Sequence, residues 1–333
     1  MSSSININIY SVIISFFISS LSLAQLPTEN VKKLTDSRYQ FIKNEIVFNE
    51  LPGGQEGEYI KYGYLLLSKT SELLGPNSPL KINVKSHMSC RNCHIGVGTV
   101  EYGNSFLDTH ALYPQYRARE GKIQTLAQRI NACFTHPMQG KPLPENSKEM
   151  MAIQMYMKWI GANRVRPSSD PDNRIAKIEF LDRAADPKQG KIVYEKHCLQ
   201  CHGENGEGKF SENGKSFMYP PLWGKESFII GSSMSRLSVL ARFIGSSMPY
   251  LSEIKLDKEQ SWDVAAFIMS NSKPAWNGKK PPFKNLSEKP FDFPKGPYDD
   301  HFSEERHKYG PYKEIIDYWV KKKGQSTTRP SGI

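Results

Sequence analysis

The chain has 333 residues, of which 38% are hydrophobic, and it carries a formal net charge of +10. This hydrophobic fraction is low for a single large core and favours two small domains, in which a bound prosthetic group supplies part of the interior. The charge by itself is compatible with nucleic-acid binding, but the sequence has no platform of interleaved basic and aromatic residues, so we expect no nucleic-acid partner. An anionic substrate or an acidic redox partner, on an otherwise solvated basic surface, fits the charge better.

The first 24 residues are typical of a secretory signal peptide. An apolar run from Ile9 to Leu23 ends in Ser-Leu-Ala before Gln25, and we expect cleavage after Ala24. Because no Lys or Arg precedes the run, an uncleaved membrane anchor is the alternative. No other apolar stretch is long enough to span a bilayer. We therefore expect a periplasmic protein without stable membrane insertion after signal cleavage.

Four of the five cysteines belong to two Cys-x-x-Cys-His motifs, and the fifth is Cys133. The motifs consist of Cys90, Cys93 and His94 and of Cys198, Cys201 and His202. Two thiols three positions apart can add to the two vinyl groups of haem, while the adjacent imidazole ligates the iron. Paired zinc-binding motifs are the competing interpretation, but a His directly after both motifs in an exported chain favours haem. We predict two covalently bound haem c groups, with His94 and His202 as iron ligands.

Apolar residues at helical spacing flank both motifs. The predicted helices cover residues 59–75, 147–159, 190–197, 256–270 and 312–322. The order of helix, haem motif, long loop and helix occurs twice, and it resembles the class I cytochrome c fold. We predict an all-α protein with almost no strands: two class I cytochrome c-like haem domains in tandem with an extended C-terminal tail. The predicted boundaries are a signal peptide at 1–24, an N-terminal domain at 25–163, a linker at 164–180, a C-terminal domain at 181–272 and an extended tail at 273–333. Residues 271–300 are expected to wrap the surface.

The second haem needs a ligand on the face opposite His202, and Met248 is the predicted one. It lies in Ser-Ser-Met-Pro-Tyr, in the loop before the last helix of the domain, where a thioether can reach the iron. Methionine ligation raises the reduction potential, which suits a haem that passes electrons on. Met218 and Met234 are the rival candidates.

For the first haem, the predicted distal loop runs from Arg129 to Gly140 and contains three candidates, Cys133, His136 and Met138. Cys133 is the odd thiol, and an unpaired thiol in an oxidising compartment needs a partner or a task. Coordination of the iron by the Cys133 thiolate would give this thiol a function and would lower the reduction potential of the haem. An inert buried cysteine is the alternative.

Three arginines precede this loop or begin it: Arg117, Arg119 and Arg129. Their guanidinium groups can bind oxyanions such as sulfonate through paired, charge-assisted hydrogen bonds. The alternative is that they are solvated on a helix face.

These features resemble the dihaem thiosulfate dehydrogenase family over nearly all of the mature chain. The resemblance is carried by both haem motifs, by Tyr-Pro-Gln-Tyr-Arg-Ala-Arg-Glu, Gln-Arg-Ile-Asn-Ala-Cys-Phe and Tyr-Met-Lys-Trp, and by Gly-Pro-Tyr-Asp-Asp-His-Phe-Ser and Lys-Tyr-Gly-Pro-Tyr in the tail. It implies that Cys133 ligates the haem of the active site and that Arg119 and Arg129 line the substrate site. It also implies that two thiosulfate ions are coupled to tetrathionate, or the reverse. As a hypothesis from thiolate chemistry, Cys133 leaves the iron and forms a transient S-sulfonate adduct, and a soluble cytochrome c or similar protein exchanges the electrons.

The chain departs from the family pattern near Cys133. His136, Pro137 and Gln139 stand where the family commonly has Arg, Ser and Asn, and Ser247 replaces a Lys that serves as an alternative ligand in some members. A ligand switch involving that position is therefore not expected. Two other functions remain as alternatives: an electron carrier with two haems and no substrate of its own, and an enzyme acting on a different sulfur oxyanion.

Overall fold

The computed structural model describes residues 39–42, 45–78, 80, 86–162, 174–275 and 283–323. The predicted signal peptide, residues 25–38 of the lead-in, most of the predicted linker and parts of the tail lie outside these residues. Within the described part of the chain, no helix has both the length and the hydropathy that crossing a membrane requires.

The N-terminal lobe, residues 39–162, is built around two crossing helices. Its elements are β1 (Tyr39–Ile42), β2 (Glu45–Phe48), α1 (Gly54–Ser68), α2 (Thr70–Leu74), α3 (Thr109–Leu112), β3 (Gln115–Arg117), β4 (Lys122–Gln124), α4 (Leu126–Thr135) and α5 (Lys148–Ile160). Helix α5 begins after Ser147, whose hydroxyl accepts a hydrogen bond from the Met150 amide (3.1 Å). Its buried face, which includes Ile153, packs on α1. The backbones come close at Gly63, because a side chain there would overlap the Ala152 carbonyl oxygen.

The C-terminal lobe, residues 174–275, repeats this arrangement. Its elements are α6 (Pro187–His197), α7 (Leu199–His202), β5 (Lys209–Phe210), β6 (Phe217–Tyr219), α8 (Leu237–Ser247) and α9 (Lys258–Ser270). Helix α6 crosses α9, and Trp262, Val264 and Ala265 of α9 are buried in the core of the lobe. Gly190 of α6 lies at the crossing, against the Asp263 carbonyl oxygen. The predicted helices in both lobes are confirmed to within a few residues, except that the first is divided between α1 and α2.

The crossing of α6 and α9 leads to a stability prediction. Replacing Gly190 by Ala is expected to lower the free energy of unfolding by about 1–3 kcal/mol, because the new methyl group overlaps the rigid Asp263 backbone. Urea titration of the purified protein, followed by circular dichroism, measures this change. The matched control is Gly53→Ala, where a methyl group would have no atom within 4 Å. Equal stability of the Gly190 variant and the parent protein would show that the helices can separate without cost.

Two of the longer helices, α4 and α8, were not predicted from the sequence. The segment that we expected to be the distal loop begins inside α4, so Arg129 and Cys133 lie on a helix and that prediction was wrong. The physical reason is a capping box: the Thr125 hydroxyl accepts from the Gln128 amide (3.2 Å), and the Gln128 side chain accepts from the Thr125 amide (3.3 Å). Helix α8 was also missed.

Strands are few and short, as expected for a helical protein. The described residues form three two-stranded antiparallel hairpins, β1 with β2, β3 with β4, and β5 with β6. The β3–β4 hairpin matters for the site, because it sets Arg117 opposite Lys122 and leads the chain through Arg119 toward α4.

Part of the tail is helical, and several of its side chains are buried. It contains α10 (Glu304–Tyr309) and α11 (Lys313–Lys323), and its side chains Phe291, Tyr312, Ile315 and Trp319 are buried in the core of the C-terminal lobe. The expectation that residues 271–300 wrap the surface was therefore wrong for Phe291, whereas α11 confirms the helix predicted at 312–322. Ile315 and Trp319 are four residues apart and share the buried face of this helix.

The two lobes meet beside the first haem motif. Met88 and Ile95, on either side of that motif, belong to the hydrophobic core of the C-terminal lobe. The hydroxyls of Ser246 and Ser247 both donate to the Tyr102 carbonyl oxygen, each at 3.2 Å. Ser246 and Ser247 therefore connect the end of α8 to the N-terminal lobe.

Candidate functional site

An open cavity lies in the N-terminal lobe, and its enclosed volume is about 50 Å³. Most of its wall is apolar and is formed by Leu67, Phe106, Ile130, Phe134, Met138 and Met157. The polar part of the wall consists of Cys90, His94, Ser105, Thr109, Arg129, Cys133 and Arg174. An apolar cavity that joins a Cys-x-x-Cys-His motif to a second possible iron ligand has the donor groups that haem c requires.

His94 is held in the orientation that an iron ligand needs. Its Nδ1 atom lies 2.5 Å from the carbonyl oxygen of Asn104, which can only accept, so Nδ1 carries the proton and Nε2 is available to a metal. Asn104 adopts a left-handed conformation (φ 58°) and its side chain donates to the Cys93 carbonyl oxygen (3.2 Å). The His94 ring also packs 4.0 Å from the ring of Phe106.

Cys90 is fixed by the junction between α1 and α2. Its amide donates to the hydroxyl of Thr70 (3.1 Å), and this hydroxyl donates to the Leu66 carbonyl oxygen (2.8 Å). Thr70 is fully buried, so the hydrogen bonds place the first cysteine of the motif at a defined point on the cavity wall.

Cys133 and Arg129 face the cavity from α4. They are four residues apart and therefore share one face of the helix. The negative charge of a Cys133 thiolate is the largest cause that raises the pKa of Arg129 above its usual value, so Arg129 stays positive at neutral pH.

The other two distal candidates are placed differently. Met138 is buried and lines the cavity, whereas His136 is not part of the described wall. Burial, and next the charges of Arg119 and Arg129, lower the pKa of His136 to about 4. His136 is therefore neutral at physiological pH and adds no charge to the site.

Arg119 is not part of the described cavity wall and contacts the C-terminal lobe. Its Nη1 atom donates to the Gly231 carbonyl oxygen, and its guanidinium group lies 5.7 Å from the ring centre of Phe283 in the tail. Burial lowers its pKa to about 10, so it stays positive at neutral pH. Arg117 is half-buried, and burial also lowers its pKa, followed by the charge of Arg129.

Arg174 is a cavity residue that the sequence analysis missed. It comes from the segment predicted as a linker, and its backbone carbonyl accepts from the Ser105 amide (3.3 Å). No local sequence pattern distinguishes it from the other charged residues nearby, because its place on the wall depends on this contact between distant parts of the chain.

The second motif has a similarly oriented histidine. His202 Nδ1 donates to the Pro220 carbonyl oxygen (2.8 Å), which leaves Nε2 for a metal. The hydroxyl of Tyr194 donates to the Gly203 carbonyl oxygen (2.6 Å) and connects α6 to the turn after the motif. Cys198 and Cys201 lie at the start of and within α7, on the same side of this turn.

Met248 ends α8 and lies in the loop before α9. Its amide donates to the Ile244 carbonyl oxygen (2.9 Å), and its side chain packs partly buried against the core of the C-terminal lobe. Of the rivals, Met218 is 48% exposed and Met234 is buried among apolar residues. The exposure of Met218 fits poorly with a ligand of an iron held in an apolar interior.

Two regions of the chain match known families of cytochrome domains. Residues 81–162 match the profile described as SoxA/TsdA, cytochrome c domain, and residues 187–272 match the profile described as Cytochrome c. The protein thus has two tandem cytochrome c domains, of the class that binds haem c, and the predicted fold class is confirmed.

Similar proteins identify the family to which the chain belongs within this class. The chain is 33% identical over 228 residues to the thiosulfate dehydrogenase of Allochromatium vinosum, covering 67% of this chain and 82% of that protein. It is 30% identical over 226 residues to the thiosulfate dehydrogenase of Psychrobacter arcticus, covering 67% of this chain and 66% of that protein. The solved thiosulfate dehydrogenase of Marichromatium purpuratum matches with a TM-score of 0.60 and 28% identity over 67% of this chain, which spans about half (48%) of that one. The chain belongs to the thiosulfate dehydrogenase family of oxidoreductases, as its motifs predicted.

Proposed function

We propose that this protein is a periplasmic oxidoreductase that couples two thiosulfate ions to tetrathionate, or runs the reverse reaction, with two covalently bound haem c groups. One observation carries the proposal: Cys133, Arg129 and His94 line the same cavity. An electron carrier needs two haems but has no use for an ionisable thiol beside a buried arginine. The relatives named thiosulfate dehydrogenase support the choice of substrate.

The proposed attachment follows the two motifs. Haem c, when bound, would supply one-electron redox chemistry. In the N-terminal lobe, Cys90 and Cys93 would attach the group, with His94 and Cys133 as its ligands. In the C-terminal lobe, Cys198, Cys201, His202 and Met248 would take the same roles. The histidine orientations described above support this assignment.

Arginine side chains bind the substrate in this proposal. Thiosulfate is a dianion, so two of them repel each other unless cations lie nearby. Arg129 on the cavity wall and Arg119 beside it are proposed to hold the sulfonate ends and bring the outer sulfur atoms together. The hydrogen bond of Arg119 to Gly231 uses one of its five N–H groups, so donors for an anion remain.

Cys133 is proposed to act as a nucleophile as well as a ligand. Its thiolate forms a sulfur–sulfur bond to the outer sulfur of the first thiosulfate, and two electrons leave to the acceptor. The second thiosulfate then attacks that outer sulfur, which forms tetrathionate and releases the Cys133 thiolate. Charge and atoms balance in both steps, and each step can run in reverse.

The C-terminal lobe is proposed to exchange electrons with a soluble cytochrome c or similar partner. Methionine ligation by Met248 would raise the potential of the second haem above that of the thiolate-ligated first haem. The positive charge of the protein favours a partner with an acidic surface.

The test is anaerobic addition of thiosulfate to the purified haem-loaded protein, with ferricyanide as acceptor, while haem absorption and tetrathionate are measured. We expect reduction of haem and one tetrathionate for every two thiosulfate ions consumed. Rapid oxidation of the prereduced protein by tetrathionate would assign the reverse direction. If neither anion reacts, the proposed function is wrong and the electron carrier takes its place.

A further inference from the structure

Arg119 is held between the C-terminal lobe and the tail. Its Nη1 atom donates to the Gly231 carbonyl oxygen, and its guanidinium group lies over the ring of Phe283, 5.7 Å from the ring centre. Guanidinium groups stack on aromatic faces, and this distance is within the range of a cation–π interaction. The two contacts together order a long side chain that has many rotamers in solution.

The contact with Gly231 comes from a backbone turn that is itself fixed. Just before this residue, the Ile229 carbonyl oxygen accepts from the buried Ser235 hydroxyl (2.7 Å). The Ile230 amide donates to the Pro274 carbonyl oxygen (3.2 Å), which lies beyond α9. Gly231 therefore offers its carbonyl oxygen to Arg119 from a defined position on the C-terminal lobe.

The ring of Phe283 is fixed from within the tail. Phe283 is only 5% exposed, and its ring meets the ring of Phe293 edge to face, with the ring centres 5.4 Å apart. The Phe293 carbonyl oxygen accepts from the hydroxyl of Tyr298 (2.8 Å). The ring that contacts Arg119 is therefore part of a packed aromatic group.

The same part of the tail lies against the hairpin that leads to Arg119. The hydroxyl of Tyr116 in β3 donates to Glu288 Oε2 (2.9 Å). The side chain of Lys284 passes Gly121, where an added Cβ atom would lie 3.6 Å from its Cδ atom. Contacts on both sides of Arg119 in the chain thus hold the tail over this region of the N-terminal lobe.

Arg119 also lies near the arginine of the cavity wall. Burial lowers the pKa of Arg119 to about 10; of the neighbouring charges, Glu120 raises it and Arg129 lowers it. Both arginines are positive at neutral pH, so an anion between them would be attracted from two sides. The orientation of Arg119 would therefore affect how tightly such an anion binds.

We propose that Phe283 of the tail is a positioning residue that holds Arg119 in the orientation in which it binds an oxyanion. Resting on the proposed function, this oxyanion is the sulfonate end of thiosulfate. The ring orders the guanidinium group without occupying any of its N–H donors, which stay available for hydrogen bonds. A side chain that is ordered in advance loses less conformational entropy on binding, and affinity rises accordingly.

The experiment removes the ring and measures anion binding with and without turnover. Haem-loaded Phe283→Leu is compared with the parent and with Phe283→Tyr, which keeps the aromatic face. Phe283→Met is a second variant without a ring and serves if the Leu variant does not fold. The KM and kcat for thiosulfate are measured with ferricyanide as acceptor. The affinity for sulfate, an unreactive dianion, is measured by calorimetric titration of the oxidised protein.

The matched control is Phe302→Leu, because Phe302 is another aromatic residue of the tail with an arginine over its ring, Arg306 at 5.9 Å. We expect Phe283→Leu to raise KM and to weaken sulfate binding by about 5-fold, with kcat within about twofold of the parent. Phe283→Tyr should restore most of both affinities, and the control should leave them unchanged.

A double-mutant cycle with Arg119→Gln separates positioning from general support of the fold. If Phe283 acts through Arg119, Phe283→Leu has no further effect on sulfate affinity once Arg119 has been replaced. Additive effects in the double variant would overturn the proposal, as would unchanged KM and sulfate affinity in the variants without a ring, or an equal change in the Phe302 control. A parent protein that binds sulfate but does not react with thiosulfate would defeat the proposed function alone, since the sulfate affinities still test Phe283.

Discussion

Replacing Cys133 by Ser is expected to lower kcat for thiosulfate oxidation by a factor on the order of 10⁴, while both haem groups stay attached. A serine hydroxyl is not ionised at neutral pH and cannot form the sulfur–sulfur bond to thiosulfate. Loss of the thiolate ligand should also raise the potential of the first haem. Steady-state turnover and an optical redox titration measure the two effects.

Met138→Leu provides the matched control, because Met138 lines the same cavity and was a rival ligand. This change keeps the apolar volume and removes the thioether, so we expect an unchanged haem spectrum and nearly unchanged kcat. Full turnover by the Cys133→Ser protein would contradict the proposed nucleophilic role of Cys133. A Cys133→Ser protein with the parental haem spectrum, together with an altered spectrum in Met138→Leu, would move the ligand assignment to Met138.

Replacing Asp292 by Ala is expected to lower the free energy of unfolding by about 3–5 kcal/mol. The Asp292 carboxylate is fully buried and accepts from Arg236 Nε (2.6 Å), the Ser238 amide (3.0 Å) and the Ser238 hydroxyl (2.5 Å). Its removal leaves the guanidinium group of Arg236, only 11% exposed, without its partner carboxylate. Thermal unfolding of the haem-loaded protein, followed by circular dichroism, measures the loss.

Asp317→Asn is the control for the loss of a carboxylate in the tail. Asp317 pairs with Lys313 on the exposed side of α11 (2.7 Å), where water screens the interaction, so no measurable change is expected. Unequal losses of stability would show that the tail is anchored by its buried carboxylate. Equal melting temperatures for the Asp292 variant and the parent would mean that the tail adds little to the stability of the C-terminal lobe.

The longest helices were predictable because their signals are local. In α5 and α9, apolar residues recur at helical spacing and an N-cap side chain marks the start, at Ser147 and Asp257. In α4 the capping box of Thr125 and Gln128 marks the start of a helix, although residues 129–140 were predicted to form a loop. The burial of Phe291 had no periodic signal, since an aromatic side chain in an irregular segment finds its contacts only in the folded state.

The sequence by itself determined the chemistry of this protein, and the tertiary structure decided how that chemistry is assembled. Cys-x-x-Cys-His is a local pattern whose meaning depends on covalent reach, so two cytochrome c domains could be predicted from the residues alone. The neighbours of the cavity arginines are set by contacts between residues far apart in the chain. Arg119, predicted for the substrate, donates to Gly231, while Arg174, hidden in a predicted linker, lines the cavity with Arg129. Such placements depend on how two lobes pack, which no local pattern encodes.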